Sequence, residues 1–148
     1  MEVTLQEVDA DNWREIAALE VTPEQQRFVA TPAYYLCLCC YGDLWSPLAV
    51  RAEGRTVGFL MWAIDPDDGS CWLGGITVDR RVQGRGYGSG AVRAAIGTLS
   101  RAHDVREFAL SYEPENERAR DLYRRIGFVE TGETEGDEVV ARYRVPDA

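Results

Sequence analysis

Between a β-rich apolar run that ends at Val78 and a helical run that begins near Ser89 lies the segment Gln83-Gly84-Arg85-Gly86-Tyr87-Gly88, with three glycines in five residues. That order, strand then glycine loop then helix, commits the middle of the chain to an α/β arrangement and makes the loop a candidate anion cradle. Glycines allow a tight turn that bares several N–H groups, and the following helix aims the positive end of its dipole back at them. The same letters also fit a plain strand-to-helix connection. Two specialised loops are excluded by spacing. No Gly-Lys-Ser/Thr closes the segment, and no acidic residue follows about 20 residues on at the end of a second strand, as a dinucleotide fold requires.

The flanking sequence extends the α/β reading. Residues 3–8 alternate as a strand, and Asp11 is placed to cap a helix whose apolar positions Trp13, Ile16 and Ala17 share a face. Thr22-Pro23-Glu24-Gln25 predicts a second helix start with a capping box, and Thr31-Pro32 repeats the device. Residues 48–52, 56–64 and 71–78 then predict an antiparallel meander with turns at Glu53-Gly54-Arg55 and Asp67-Asp68-Gly69-Ser70. After the loop, Val92, Ala95, Ile96 and Leu99 recur at helical spacing and residues 107–112 read as a strand. Asn116 opens a stripe of Ala119, Leu122, Tyr123 and Ile126 that stops at Gly127, and two strands, at Phe128-Val129 and residues 139–145, flank a polar turn from Glu133 to Asp137. The expected fold is a single α/β (α+β) domain over residues 1–148, a mixed, largely antiparallel twisted sheet with helices on both faces.

Composition narrows the function classes. A chain of 148 residues with 45% hydrophobic content suits one domain with a real core. No basic leader precedes an apolar stretch, and no apolar run approaches the roughly 18 residues that cross a bilayer, so a cytoplasmic protein without a membrane partner is expected. The formal charge of −9 argues against nucleic acid. It suits a polycationic substrate, and equally a charge that serves only solubility. Cys37, Cys39 and Cys40 share one apolar stretch and Cys71 stands alone, so no metal site is expected and the thiols read as buried and reduced.

Two motifs in fixed order carry a family resemblance. The first is Gln83, two residues, Gly86, one residue, Gly88; the second is Asn116, then Tyr123 seven residues later and Gly127-Phe128 at the helix end. The chain resembles the GNAT family of acyl-CoA-dependent N-acyltransferases, firmly from about residue 56 to 128 and by element order throughout. The resemblance implies acetyl-CoA as co-substrate, no metal, and a homodimer as an open question. It places the pantetheine arm along Ile76, Thr77 and Val78, with the Val78 N–H as oxyanion donor. The pyrophosphate falls on the N–H groups of Gln83, Gly84, Arg85, Gly86, Tyr87, Gly88 and Ser89, and Asn116 and Ala119 fall beside the cofactor.

Tyr123 matches the family position that protonates the departing thiolate. By its place beside Leu122 on an apolar stripe it also reads as core packing, and Asn116 also reads as an ordinary N-cap. No acidic residue occupies residues 71–78, so the strand glutamate familiar in the family is missing. Glu20, Glu24 and Glu113 are candidate bases, each equally readable as a solvated charge, and His103 lies at the far end of its helix. Pro23-Glu24-Gln25, Phe28-Val29-Ala30 and Trp72-Leu73-Gly74-Gly75 are similar to the bacterial spermine/spermidine acetyltransferase branch, which implies a primary amine of a polyamine such as spermine or spermidine, or of a similar small molecule, as acceptor; carboxylates would hold its ammonium groups, with Glu20, Glu24, Asp79 and Glu113 as candidate contacts. A protein N-terminus, a lysine or an aminoglycoside as acceptor, and a catalytically idle acyl-CoA-binding module, stay open.

Overall fold

The computed structural model of the chain describes residues 2–147. In chain order it contains β1 (Thr4–Glu7), α1 (Trp13–Ala17), α2 (Pro32–Tyr41), β2 (Ser46–Ala52), β3 (Arg55–Ile64), β4 (Cys71–Val78), a 3-10 turn (Arg80–Val82), α3 (Tyr87–His103), β5 (Glu107–Tyr112), α4 (Glu117–Ile126), β6 (Val129–Glu135) and β7 (Glu138–Arg144). The strands form one sheet in the order β1-β2-β3-β4-β5-β7-β6. Every neighbouring pair is antiparallel except β4 and β5. This is the α/β architecture expected from the sequence, with helices on both faces.

One face carries α3 and α4. The α3 stripe of Tyr87, Ala91, Val92, Ala95, Ile96 and Leu99 is buried along its length, and Tyr123 and Ile126 of α4 join it over Phe108, Leu110 and Tyr112. The other face is covered by Ile16, Leu19 and α2 residues Tyr35, Leu36 and Leu38, packed on Ala49, Phe59 and Met61. Two devices of that layer match the sequence reading, since Thr31 accepts from the Tyr34 N–H at 3.2 Å and Pro32 opens α2.

Several local expectations are corrected. Thr22-Pro23-Glu24-Gln25 starts no helix. Residues 23–29 are successive turns, closed by bonds such as Gln25 N–H to Thr22 C=O at 2.9 Å, and the Gln25 side chain leaves the would-be capping box to bond Gln83. Asp11 is not a cap, because Asp9 Oδ1 accepts from the Asp11 and Asn12 N–H groups and Asn12 holds the N-cap position of α1. The turn expected from Glu133 to Asp137 is mostly strand, for β6 runs on to Glu135, held in part by Arg142, which bonds Glu133 at 2.8 Å and Glu107 at 3.0 Å. Of the thiols, Cys71 is buried and raised to about 12 by that burial, Cys39 is half-buried, and Cys37 and Cys40 are exposed. No helix among the described residues is long and apolar enough to cross a membrane, and none of their His, Cys, Asp or Glu groups is arranged to hold a metal.

The site depends on an irregularity in β4. Phe59 pairs with Thr77 and Met61 with Gly74, so Leu60 alone opposes Gly75 and Ile76, a β-bulge with Gly75 at φ +60°. The bulge changes the phase of the ladder. On one side Asp65 N–H bonds Ser70 C=O at 2.8 Å, and on the other Asp79 N–H bonds Val57 C=O at 2.9 Å. Even-numbered β4 residues therefore face β3 before the bulge and odd-numbered ones after it, so Ile76 and Val78 turn their backbone groups away from β3. On that side β5 is already gone, because β4 and β5 pair only at Cys71 with Phe108 and Trp72 with Ala109.

A Cβ on Gly75 would stand 3.1 Å from Phe59 Cε2 and 3.2 Å from Tyr35, two rings stacked at 6.1 Å that cannot both yield. Gly75→Ala is therefore expected to lower stability by about 1–2 kcal/mol, from positive φ alone. The urea midpoint should fall with an unchanged slope.

Candidate active site

The gap between β4 and β5 is lined on two sides. Toward α3 and α4 lies a groove of about 510 Å³, bounded by β4, the glycine loop, α4 and the turns around Phe28. Of the residues expected to hold a cofactor, Ile76, Thr77, Val78, Gln83, Gly84, Gly86, Tyr87, Gly88, Ser89, Asn116, Ala119 and Tyr123 line it, and Arg85 does not. Gly84 and Gly86 have φ +79° and +82°, and a Cβ at either would meet nothing within 4 Å. Gly86 occupies the N-cap position of α3 without a side-chain cap, and the first bond of the helix runs from Gly90 N–H to Gly86 C=O at 2.9 Å. The N–H groups of Gly88 and Ser89 thus have no partner among the described residues and stand at the positive end of a 17-residue helix. Such a cradle fits a pyrophosphate.

Gln83 lines the groove in a different way from its neighbours. Its Nε2 donates to Gln25 Oε1 at 2.8 Å and to Val78 C=O at 3.0 Å, and Gln25 Nε2 donates back at 3.3 Å. The side chain therefore ties the loop to the end of β4 and to the turns carrying Phe28 and Val29. The groove also holds two cations that the sequence reading passed over, Arg118 and Arg125 on α4. Their spacing of seven residues on one helix face, with Leu122 between them, was the available signal.

On the opposite side of the gap is a cavity of about 490 Å³. Phe28, Val29, Ile76, Asn116, Ala119 and Tyr123 line both spaces, so the two meet there. The cavity walls include the rings of Tyr35, Trp45, Trp72 and Tyr112 and four carboxylates, Asp65, Glu113, Glu135 and Glu138, with no arginine or lysine. Of the four acidic residues expected near an acceptor, only Glu113 is here. Glu20 pairs with Arg80 at 3.2 Å on the surface, and Asp79 is buried, accepting from the Glu20 N–H and pairing with Arg81 at 2.8 Å. Glu24 is exposed and lines neither space, and His103, also exposed, lies against Trp62 with rings 4.8 Å apart.

Tyr123 is 9% exposed at the meeting point, its ring 5.6 Å from that of Tyr112 and 6.0 Å from that of Phe128. Its hydroxyl makes no hydrogen bond to another described residue. Burial pushes that phenol well above its ordinary range, with the Tyr112, Tyr35 and Glu138 groups adding to the effect, so it keeps its proton. Tyr35 is also raised, chiefly by burial, against the lowering effect of the Ala30 N–H that donates to its oxygen at 2.9 Å. Tyr112 is pushed to about 12 by burial and by its bond to Glu130 at 2.7 Å. Asn116 caps α4, with Oδ1 accepting from the Ala119 N–H at 3.3 Å, and lines both spaces as well.

A buried phenol with its proton, at the junction of an anion cradle and an acidic chamber, is an arrangement for acyl transfer from a phosphorylated carrier to an amine. Comparison with known proteins agrees. The model of the Acetyltransferase (GNAT) family matches residues 13–128, and the chain belongs to that family of N-acetyltransferases, which take acetyl-CoA as co-substrate. It is 29% identical to the spermine/spermidine N(1)-acetyltransferase of Bacillus subtilis (strain 168), over 96% of this chain and 99% of that protein. Its fold is similar to that of AAC(6′)-Ib in complex with paromomycin and acetyl-CoA, with TM-score 0.81 and 19% identity over 97% of this chain and 94% of the other. It is similar also to RimL, a ribosomal L7/L12 alpha-N-protein acetyltransferase in complex with coenzyme A, with TM-score 0.76 and 18% identity over 98% and 95%.

Gly86→Val is expected to weaken coenzyme A binding about tenfold or more, because a β-branched residue resists φ +82° by about 1–2 kcal/mol and brings bulk to the cradle. Calorimetric titration checks it, and equal affinity in the two proteins would remove the cradle assignment.

Proposed function

We propose that the chain transfers the acetyl group of acetyl-CoA to a primary amine of a small polycation, a polyamine such as spermine or spermidine, by direct attack of the amine on the thioester. The observation that carries the acceptor class is the chamber at Tyr123, which combines four carboxylates and six aromatic rings, that of Tyr123 included, and is lined by no cationic side chain. Carboxylates along the walls can hold ammonium groups in turn, and aromatic faces attract them further. The 29% identity to a spermine/spermidine N(1)-acetyltransferase over nearly the full length of both chains supports the same class.

In this reading bound acetyl-CoA supplies the activated acetyl thioester. The N–H groups of Gly88 and Ser89 and the positive end of α3 receive its pyrophosphate, with Arg118 and Arg125 adding positive charge along the groove. Ile76 and Val78, turned out of the ladder by the bulge, offer backbone groups to the pantetheine arm. The Val78 N–H faces the gap and stabilises charge on the carbonyl oxygen. Tyr123, held protonated by burial, gives its phenolic proton to the departing sulfur.

Thiol release from acetyl-CoA across spermine, spermidine, an aminoglycoside and an N-terminal peptide tests the acceptor. The sequence contains no lysine, so the protein offers no lysine amine of its own to the assay. Turnover is expected with the polyamines, and turnover with the peptide alone would replace the polyamine reading. Tyr123→Phe should lower kcat about a hundredfold or more, with coenzyme A affinity retained. Unchanged turnover would remove Tyr123 as the acid.

A further inference from the structure

The chamber lacks an assigned base, and the four carboxylates that line it are not equivalent. Glu135 is exposed near the end of β6, Asp65 accepts from the Asp67 N–H at 2.9 Å within its own turn, and the Glu113 side chain has no hydrogen bond to a described residue. Glu138 differs from all three. It is half-buried at the start of β7, and its Oε1 accepts from the Ser111 hydroxyl at 2.6 Å, a short bond across β5 and β7 that fixes the carboxylate in one orientation. Oε2 keeps its acceptor capacity among the described residues. Both partners of the bond line the chamber.

We propose that Glu138, oriented by Ser111, is the general base that receives the proton of the acceptor amine. The proposal rests on the amine N-acetyltransferase reading above and adds the residue that this reading leaves unnamed. Glu138 takes one proton from the incoming ammonium and passes it to water. The nitrogen lone pair thereby released forms the C–N bond, the C–S bond breaks with its electron pair going to sulfur, and Tyr123 protonates that sulfur. The second nitrogen proton passes to Glu138 and returns through chamber water to the Tyr123 phenolate, so one proton ends on the thiol and one in solvent. The placement agrees with the field of the Glu138 carboxylate, which is felt at the hydroxyls of both Tyr35 and Tyr123.

The titratable and hydroxyl groups that line the chamber with Glu138 are Tyr35 from α2, Asp65 after β3, Ser111 and Tyr112 from β5, Glu113 just beyond it, Tyr123 from α4 and Glu135 from β6. The experiment uses whichever amine the wild-type enzyme acetylates, so a wrong acceptor class is read on the wild type and a wrong base on the variants. Glu138→Gln should lower kcat/KM for the amine by about 10²–10⁴-fold with coenzyme A affinity unchanged. Its rate should then rise with pH in proportion to the free-amine fraction, recovering toward wild type in alkali. Ser111→Ala keeps the carboxylate and should lower kcat more than it raises KM, with the acid limb of the pH profile displaced. Glu135→Gln should act on KM.

A Glu138→Gln enzyme with wild-type turnover and pH profile overturns the proposal. So does a Glu135→Gln enzyme whose kcat and pH profile change as those of Glu138→Gln do, because the field of the chamber rather than one base would then be responsible. If Glu138→Gln fails to bind coenzyme A, the Ser111→Ala pH profile decides, and an undisplaced acid limb overturns the assignment.

Discussion

Everything at the site follows from the early parting of β4 and β5. A parallel pair that hydrogen-bonds at two positions and then separates leaves the β5-facing edge of β4 without a strand partner over its second half, while the other edge stays paired to β3. Unpaired backbone groups in a protein interior cost free energy, so such a gap persists only where something else meets those groups. The bulge at Gly75 determines which groups are exposed there, since it turns Ile76 and Val78 outward and leaves Thr77 bonded into the sheet. Tyr123 then reaches the opening from α4, the helix that follows β5. The same separation that breaks the sheet lets a side chain on one face meet a chamber on the other.

Charge is divided across that opening. On the α3 and α4 side are free helical N–H groups, Arg118 and Arg125; on the other side are four carboxylates and no cation. The formal charge of −9 is a property of the whole chain and could reside anywhere on the surface. Part of that charge lines the chamber wall. Arg142 helps shape that wall, because it gathers Asp68 at 3.4 Å, Glu107 at 3.0 Å and Glu133 at 2.8 Å and lies over Trp72, which keeps the β5, β7 and β6 side of the sheet in register while neutralising carboxylates outside the chamber. At the boundary, burial holds Tyr123 neutral, so the group between the two fields is a donor.

The sequence disclosed the parts of this design that are local. Gly84 and Gly86 sit at positive φ because a tight loop before a helix demands it, and Asn116 caps α4, both visible as residue types at fixed spacing. The meander and the two long helices were legible for the same reason, since their periodicities lie within single segments. Non-local features were not legible. Glu20 and Asp79 carry the charge expected of an acceptor contact, yet they meet each other and the surface arginines instead. Glu138 sits between Asp137 and Val139 with nothing to mark it, and acquires its partner only when β7 returns beside β5. The bulge left a trace, the Gly74-Gly75 pair inside an apolar strand, which is the usual sign of an extra residue in a ladder.

Gln83 lines the groove and also acts on the neighbouring strand through its side chain. The bulge turns both backbone groups of Val78 toward the gap, the N–H and also the carbonyl. An N–H there favours a developing oxyanion, whereas an open carbonyl beside it would oppose the same charge. Gln83 Nε2 covers that carbonyl at 3.0 Å, and its other hydrogen goes to Gln25. An amide is the group for this task, since it supplies two donors for the Val78 and Gln25 oxygens and an acceptor for the returning Gln25 amide. The glutamine at the head of the glycine loop therefore has a physical account in the neighbouring strand. It leaves the Val78 N–H as the uncovered backbone donor of that residue on the gap side, and it ties the turns bearing Phe28 and Val29 to the loop beside the place where the two cavities meet.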